Sequence, residues 1–454
     1  MIFPGADACK GGPMHRSRIA LIAALISCLV VLGISWPSMD AAAAAMTCHG
    51  EPATHVGTQG AQLEGTEGPD VIVTNGAWFF DAKGGDDLIC FTRGAAEETD
   101  DMQVNAGEGN DVVDATLADV RFVDATLGPG DDVFTGGPEQ DAVLGNRTYD
   151  TPGQATADGT DTISTGAGND GISTGGAPGF PDHDDVDLGP GRDNASISGP
   201  TDPNLPIRGG TGKDEVSLDH GALAHELMVD NAVGLATHDG QPEMAWSGME
   251  AFHFGSIGPR KPPSFVGGPG RERIRSTIAL KSLDFGGGND MVNFLLRRKE
   301  LVHRLAYEGG PGDDFLMFAF QVDRIGLDLG ARRLRYRDGD RTVRGRVHGF
   351  ERLRLQADRL DLRGTGRAET FDQLGCRGVV DGGGGADTIR VVATPDFGCG
   401  EDGGRQTVRG GGGDDTLVGG REPDTLIGGA GNDQAYGGEG IDRCVAEKEV
   451  GCEQ

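Results

Sequence analysis

Residues 410–445 divide into four consecutive nonapeptides: GGGGDDTLV (410–418), GGREPDTLI (419–427), GGAGNDQAY (428–436) and GGEGIDRCV (437–445). Each opens on two glycines, holds an aspartate sixth and places a mostly apolar residue eighth. Glycine lets the backbone turn tightly with φ > 0 and approach a neighbour closely. The aspartate that ends each turn sets a carboxylate where backbone carbonyls already converge. The eighth residues, Leu417, Leu426, Ala435 and Cys444, fall in a short strand and are expected to point inward. Stacked in phase, such units form one edge of a parallel β-helix.

The same phase recurs upstream. GTEGPDVIV, AKGGDDLIC, AGEGNDVVD, LGPGDDVFT, TGAGNDGIS and LGPGRDNAS place Asp70, Asp87, Asp111, Asp132, Asp170 and Asp193 sixth. GGTGKDEVS, FGGGNDMVN, GGPGDDFLM and GGGGADTIR do the same with Asp214, Asp290, Asp314 and Asp387. Asp141, Asp161 and Asp184 stand in copies that lack one glycine or more. From Asp70 to Asp214 the successive intervals are 17, 24, 21, 9, 20, 9, 14, 9 and 21 residues, near nine or near twice nine. Two nonapeptides per coil return the chain to the same edge one strand spacing higher. Longer intervals imply loops bulging from the coils, which a solenoid tolerates because each coil contacts only its neighbours.

A coarser repeat fills the part where nonapeptides thin out. LMVDNAVGLATHDG (227–240) resembles IGLDLGARRLRYRDG (325–339), and SGMEAFHF (247–254) resembles HGFERLRL (348–355). GGPGRERI (267–274) matches GTGRAETF (364–371), and FGGGNDMV (285–292) matches GGGGADTI (382–389), both at an offset of 97 residues. Glu272 and Glu369 hold the aspartate place in these copies. Alternation such as RLRLQADRLDLRG indicates half-buried strands. Four segments follow: 1–45 as a leader, 46–217 as an N-terminal roll, 218–400 as a duplicated β-helix region, and 401–454 as a contiguous nonapeptide roll with its cap.

Composition narrows the partners. The chain has 79 glycines among 454 residues, and 71 acidic against 40 basic residues leave a net charge of −31. That balance argues against nucleic acid. Carboxylates set among glycines suit a hard cation that takes oxygen ligands, calcium before any metal held by thiolate or imidazole. At the N-terminus Lys10, His15, Arg16 and Arg18 precede the apolar run IALIAALISCLVVLGISW and the small-residue tract DAAAAAM, the pattern of an export signal. Cleavage is expected between Ala43 and Met46, leaving a secreted or surface chain without a stable membrane span. The mature chain then keeps Cys48, Cys90, Cys376, Cys399, Cys444 and Cys452. An even number suits an exported protein, and local coupling points to Cys48–Cys90, Cys376–Cys399 and Cys444–Cys452 among the connectivities that six cysteines allow.

These residues resemble the hemolysin-type, RTX-like calcium-binding repeat proteins, and the opening TCHGEPATHVGTQG, with Cys48 and Cys90 in familiar places, is similar to exported actinobacterial members. The resemblance implies an all-β, right-handed parallel β-roll or β-helix solenoid with calcium held between the turns of successive coils. Carried over residue by residue, Asp415, Asp424, Asp433 and Asp442 would ligate calcium together with turn carbonyls. Asp415 pairs with the turn of Asp433, and Asp424 with that of Asp442. The other sixth-position aspartates, from Asp70 to Asp387, are candidate ligands of the same kind. Glu422 and Pro423 depart from the pattern in the second C-terminal copy.

The physics of such an edge couples metal to folding. Parallel strands stack about 4.8 Å apart, so aspartates on one edge face each other. Two like charges about 4 Å apart repel by about 1 kcal/mol in water and about 4 kcal/mol at an effective dielectric of 20. Calcium reverses that sign, and because its ligands meet only in the folded coil, binding free energy becomes folding free energy.

Catalysis is not expected. GISTG at 171–175 matches GxSxG, but without the strand–elbow–helix context that chemistry requires. HELMV at 225–229 has Val229 where HExxH needs its second histidine. The rival reading is a β-helix lyase or epimerase acting on an anionic polysaccharide, with Arg332, Arg333, Arg335, Arg337, Arg341, Arg344 and Arg346 in its groove. The preferred reading is an extracellular structural or adhesive calcium-binding module whose other partner is a cell-surface or extracellular polysaccharide.

Overall fold

The computed structural model describes residues 46–92, 101–118, 120–145, 159–175, 181–218, 226–255, 261–296, 304–319, 322–392 and 404–453. The leader and Cys399 lie outside the described residues. Among the described residues there is no helix, and none is therefore long and apolar enough to cross a membrane. The chain winds as an all-β solenoid of the β-roll type, each coil contributing one strand to each of two parallel ladders.

The first ladder climbs through Val71–Val73, Leu88–Cys90, Val112–Asp114, Val133–Thr135, Thr162–Ser164 and Asp185–Asp187. The second climbs through Phe79–Asp81, Asp101–Asn105, Phe122–Thr126, Gln140–Leu144, Gly171–Thr174 and Asn194–Ile197, and continues to Lys448–Val450 at the C-terminal end. Alternate residues of a strand point to opposite faces, so the register decides which residues meet inside. In the second ladder Phe252, Ile274, Val292, Leu316, Leu353, Phe371, Ile389, Leu417 and Ala435 stand in one unbroken register, each on its neighbour, and all are buried. Leu417, Leu426 and Ala435 point inward as the eighth position requires. Cys444 is only half buried, because it joins Cys452 at the end of the last coil.

Two antiparallel meanders interrupt this winding, one within each copy of the coarser repeat, whose remaining matched stretches lie in parallel coils. Leu227–Asp230, Leu235–His238 and Gln241–Ser247 form the first, and Arg324–Asp328, Arg333–Asp338 and Arg341–His348 form the second. In each, the last strand pairs in parallel with the coil below and the first strand with the coil above: Trp246 on Ile207 and Val229 on Phe265, then Val347 on Tyr307 and Ile325 on Leu360. The core between them is aromatic. Phe252 and Phe265 meet edge to face at 5.0 Å, and Phe294 stacks on Tyr307 at 5.0 Å and on Phe318 at 5.3 Å.

The ends are tied covalently. Cys48–Cys90 fixes a short hairpin, Thr47–Cys48 against Glu51–Pro52, over the first coils, and Cys444–Cys452 closes the last. Cys376 is disulfide-bonded, with its expected partner Cys399 outside the described residues.

Candidate metal centre

Each sixth-position aspartate lies where a turn enters a strand, and successive coils set these residues in columns. On the edge that feeds the first ladder, the backbone N–H of Asp70 donates to Oδ1 of Asp87 at 2.7 Å, and that of Asp87 to Asp111 at 2.8 Å. The chain of bonds continues from Asp111 to Asp132, Asp132 to Asp161 and Asp161 to Asp184 at 2.8–3.0 Å. On the opposite edge Asp141, Asp170, Asp193 and Asp214 are linked in the same way at 2.8–2.9 Å. Further along that edge come Glu272 to Asp290 to Asp314, then Glu369 to Asp387 to Asp415 to Asp433. At the C-terminal end of the first edge Gln406 donates to Asp424, and Asp424 to Asp442. Aspartates nine residues apart therefore lie on opposite edges, as do Asp141 with Asp161 and Asp170 with Asp184, whereas aspartates linked within a column are 17 to 29 residues apart.

Glu272, Glu369 and Asp141 accept the amides of Gly268, Thr365 and Gly137 in their own turns. In each aspartate that accepts a bond between coils, one carboxylate oxygen is thus used by the backbone of the coil below. The other is shut from solvent and has no hydrogen-bond partner in Asp87, Asp111, Asp132, Asp161, Asp170, Asp193, Asp214, Asp290 and Asp314. The same holds for Asp387, Asp415, Asp433, Asp442 and Glu272 Oε2. A buried anionic oxygen without a partner is costly, and a cation satisfies it. This is the observation by which these turns fit calcium. The residues carrying these oxygens are buried side chains of the column, from Asp87 to Asp442.

The glycines make the space. A Cβ built on Gly428, first in its nonapeptide, would lie 2.4 Å from Oδ2 of Asp433. One on Gly431, fourth in the nonapeptide and at φ +148°, would lie 2.0 Å from the carbonyl oxygen of Gly413 in the coil below. Glycine is required at both places, first to admit the carboxylate and then to let turn carbonyls stack between coils. Hard oxygen donors, carboxylate and carbonyl, are the set that calcium prefers.

Electrostatics agree with a cation-seeking edge. Burial, aided by neighbouring carboxylates, pushes Asp87, Asp132, Asp141, Asp193, Asp290 and Asp387 up to about 7 and Asp161 to about 9. Burial raises Asp184 to about 8 and Asp111 and Asp314 to about 6, and it also raises Asp170, Asp214, Asp415, Asp424 and Asp442. Asp70 differs. Burial works upward there too, but the amide and hydroxyl of Thr66, with His55 and Thr54, hold it below the usual value.

The sequence reading missed four members of the columns. Oε2 of Glu250, Glu351, Glu447 and Glu453 accepts the backbone N–H of Asp214, Asp314, Asp433 and Asp442 at 3.0, 3.0, 2.8 and 2.7 Å. Their signal is faint: a glutamate two residues after glycine in GME, GFE and GCE, and none at Glu447. Gln406 also stands in a column place, neutral where its neighbours are acidic. Elsewhere, His49, Cys90 and Asp114 approach one another, but Cys90 is held in a disulfide and offers no thiolate. Ser173 of GISTG is a mid-strand residue paired with Leu144 and Ser196, not the tip of an elbow.

Columns of buried carboxylates on a parallel coil define a calcium-binding repeat protein. Residues 156–177 and 409–444 match the family model of the RTX calcium-binding nonapeptide repeat, in four copies. No curated protein matches the chain.

Proposed function

We propose that the mature chain is an exported, non-catalytic scaffold that folds as calcium fills its turns and serves an extracellular structural or adhesive role. The unpartnered carboxylate oxygens carry this reading. They leave an edge whose stability depends on a divalent cation, which is abundant outside cells. Asp415 with Asp433 and Asp424 with Asp442 are the ligand pairs best supported by both repeat and geometry. The test is calcium titration of residues 46–454 followed by circular dichroism and calorimetry, with EDTA and magnesium controls. A saturable gain in β signal, at least two ions per chain and no response to magnesium are expected. A chain equally folded in EDTA, with no heat of calcium binding, would sink the reading.

An anionic polysaccharide is the partner proposed for the arginine-bearing meander. Arg335 stands directly across from Arg344, with both side chains on the outer face, whereas Arg324, across from Arg337, pairs with Asp361 at 2.5 Å. Like charges opposite each other destabilise a strand pair, and a polyanion lying across them offsets that. Beside them Asp328, Arg333, Arg335, Asp361, Arg363 and Asp381 line a shallow depression of about 410 Å³. Retention on a polyuronate column that falls with salt, and falls at least several-fold in Arg335→Gln/Arg344→Gln, is expected. Unchanged retention would leave these arginines as a solvated strand face.

A further inference from the structure

The nonapeptide pattern stops at each meander, yet the carboxylate column does not. After Asp214 the next coil is entered not by a nine-residue turn but by the short segment Gly248-Met249-Glu250, and after Asp314 by Gly349-Phe350-Glu351. Gly248 and Gly349, at φ +68° and +72°, fold these segments back onto the glycine pairs 209–210 and 309–310 beneath. A Cβ on Gly209 would lie 2.4 Å from the carbonyl oxygen of Gly248 and 3.1 Å from Oδ2 of Asp214. Carbonyl and carboxylate therefore face one small space. At the second meander a Cβ on Gly309 would lie 1.9 Å from the carbonyl of Gly349 and 3.0 Å from Cβ of Asp314.

We propose that Glu250 and Glu351 are calcium ligands that carry the cation column across the two meanders, each joining the aspartate below, Asp214 or Asp314, and the glutamate above, Glu272 or Glu369. This rests on the calcium reading of the nonapeptide turns. A row of acids alone would not suffice; the second observation is that Asp214 and Asp314, both 0% exposed, keep Oδ2 unpartnered at these junctions, as Glu272, at 3%, keeps Oε2. Glu250 and Glu351 each spend one oxygen on the aspartate N–H below. In Glu351 the other lies 3.7 Å from Arg367, on a solvent-facing side chain that can swing away. Strand pairing sets Ala251 beside Arg273 and Arg352 beside Thr370, which brings the preceding glutamates, Glu250 with Glu272 and Glu351 with Glu369, to adjacent levels.

The first junction has a built-in reporter. The indole Nε1 of Trp246 donates to Oδ1 of Asn231 at 2.9 Å, and Nδ2 of Asn231 donates to Oε1 of Glu272 at 3.2 Å. A lanthanide bound there sits within energy-transfer range of Trp246.

The experiment uses the full mature chain carrying Trp78→Phe, so that Trp246 is its one indole, and Glu→Gln substitutions, because an amide oxygen still accepts the aspartate N–H while losing the charge. Indole-sensitised Tb³⁺ emission that calcium displaces, and that drops at least fivefold in Glu250→Gln, is expected. Calcium stoichiometry should fall by two ions in Glu250→Gln/Glu351→Gln. If the parent chain binds calcium and the double variant keeps every site, this inference fails and the nonapeptide reading stands. If the parent binds none, both fail.

Discussion

At the scale of single residues, the two kinds of glycine in the repeat do different work, and GGGG at 410–413 separates them. Gly411 and Gly413 have φ of +113° and +121°, and a Cβ on either would strike a carbonyl of the coil below, at 2.2 and 2.0 Å. Gly412, between them, has no atom within 4 Å of a built Cβ and no positive φ. Gly413→Ala should therefore cost about 1–3 kcal/mol through strain and displacement of the turn. Gly412→Ala should be neutral or stabilise by about 0.4–1 kcal/mol, through the unfolded chain alone. Melting temperatures of the two variants in calcium check this, and equal losses would contradict it. The periodicity marked first, second, fourth and sixth positions as special. It did not tell why: the first glycine makes room for the carboxylate of its own turn, while the reasons for the second, fourth and sixth positions lie in the neighbouring coil, 18 to 28 residues away along the chain.

At the scale of elements, the column of carboxylates has a pH dependence whose sign follows from the raised values. A carboxylate near 7 in the folded chain and near 3.9 when unfolded binds more protons folded than unfolded. Its contribution is fully present below the unfolded value and is lost as pH rises through the folded one. Asp87, Asp132, Asp141, Asp193, Asp290 and Asp387, at about 7, place that window at roughly pH 4 to 7. Asp70, Asp114 and Asp202, held low, act with opposite sign below it. In EDTA the melting temperature should fall between pH 5 and 8, while the gain from calcium should grow over the same range, because protons compete for the ligands. A melting temperature in EDTA that rises with pH would refute the raised values. The strands themselves were legible from alternation and from the apolar eighth position. The meanders were visible only as a repeat, because pairing antiparallel within and parallel to coils above and below is set by partners remote in sequence.

At the scale of the whole molecule, the coils differ in what holds them. Those between 246 and 350 bury Trp246, Phe252, Phe254, Phe265, Phe285, Phe294, Tyr307, Phe318 and Phe350, whereas the last four nonapeptides bury Leu417, Leu426 and Ala435 and half-bury Cys444. Apolar burial stabilises in proportion to area, so the C-terminal coils lean on the cation and on Cys444–Cys452 far more than the middle does. The sequence by itself determined the local unit: glycines where φ is positive, a carboxylate closing each turn, an inward apolar residue, acidity that suits calcium, and cysteine couples close enough to bridge. All but the cysteine couples, of which Cys48–Cys90 spans 42 residues, are properties of nine or eighteen consecutive residues, and local chemistry suffices to read them. Only the tertiary structure decided which aspartates share an edge outside the last four nonapeptides, that irregular intervals still climb one coil, and that Glu250, Glu351, Glu447 and Glu453 complete the columns. Each of these depends on which backbone N–H lies beneath a given carboxylate, and that is fixed by the stacking of coils rather than by spacing along the chain.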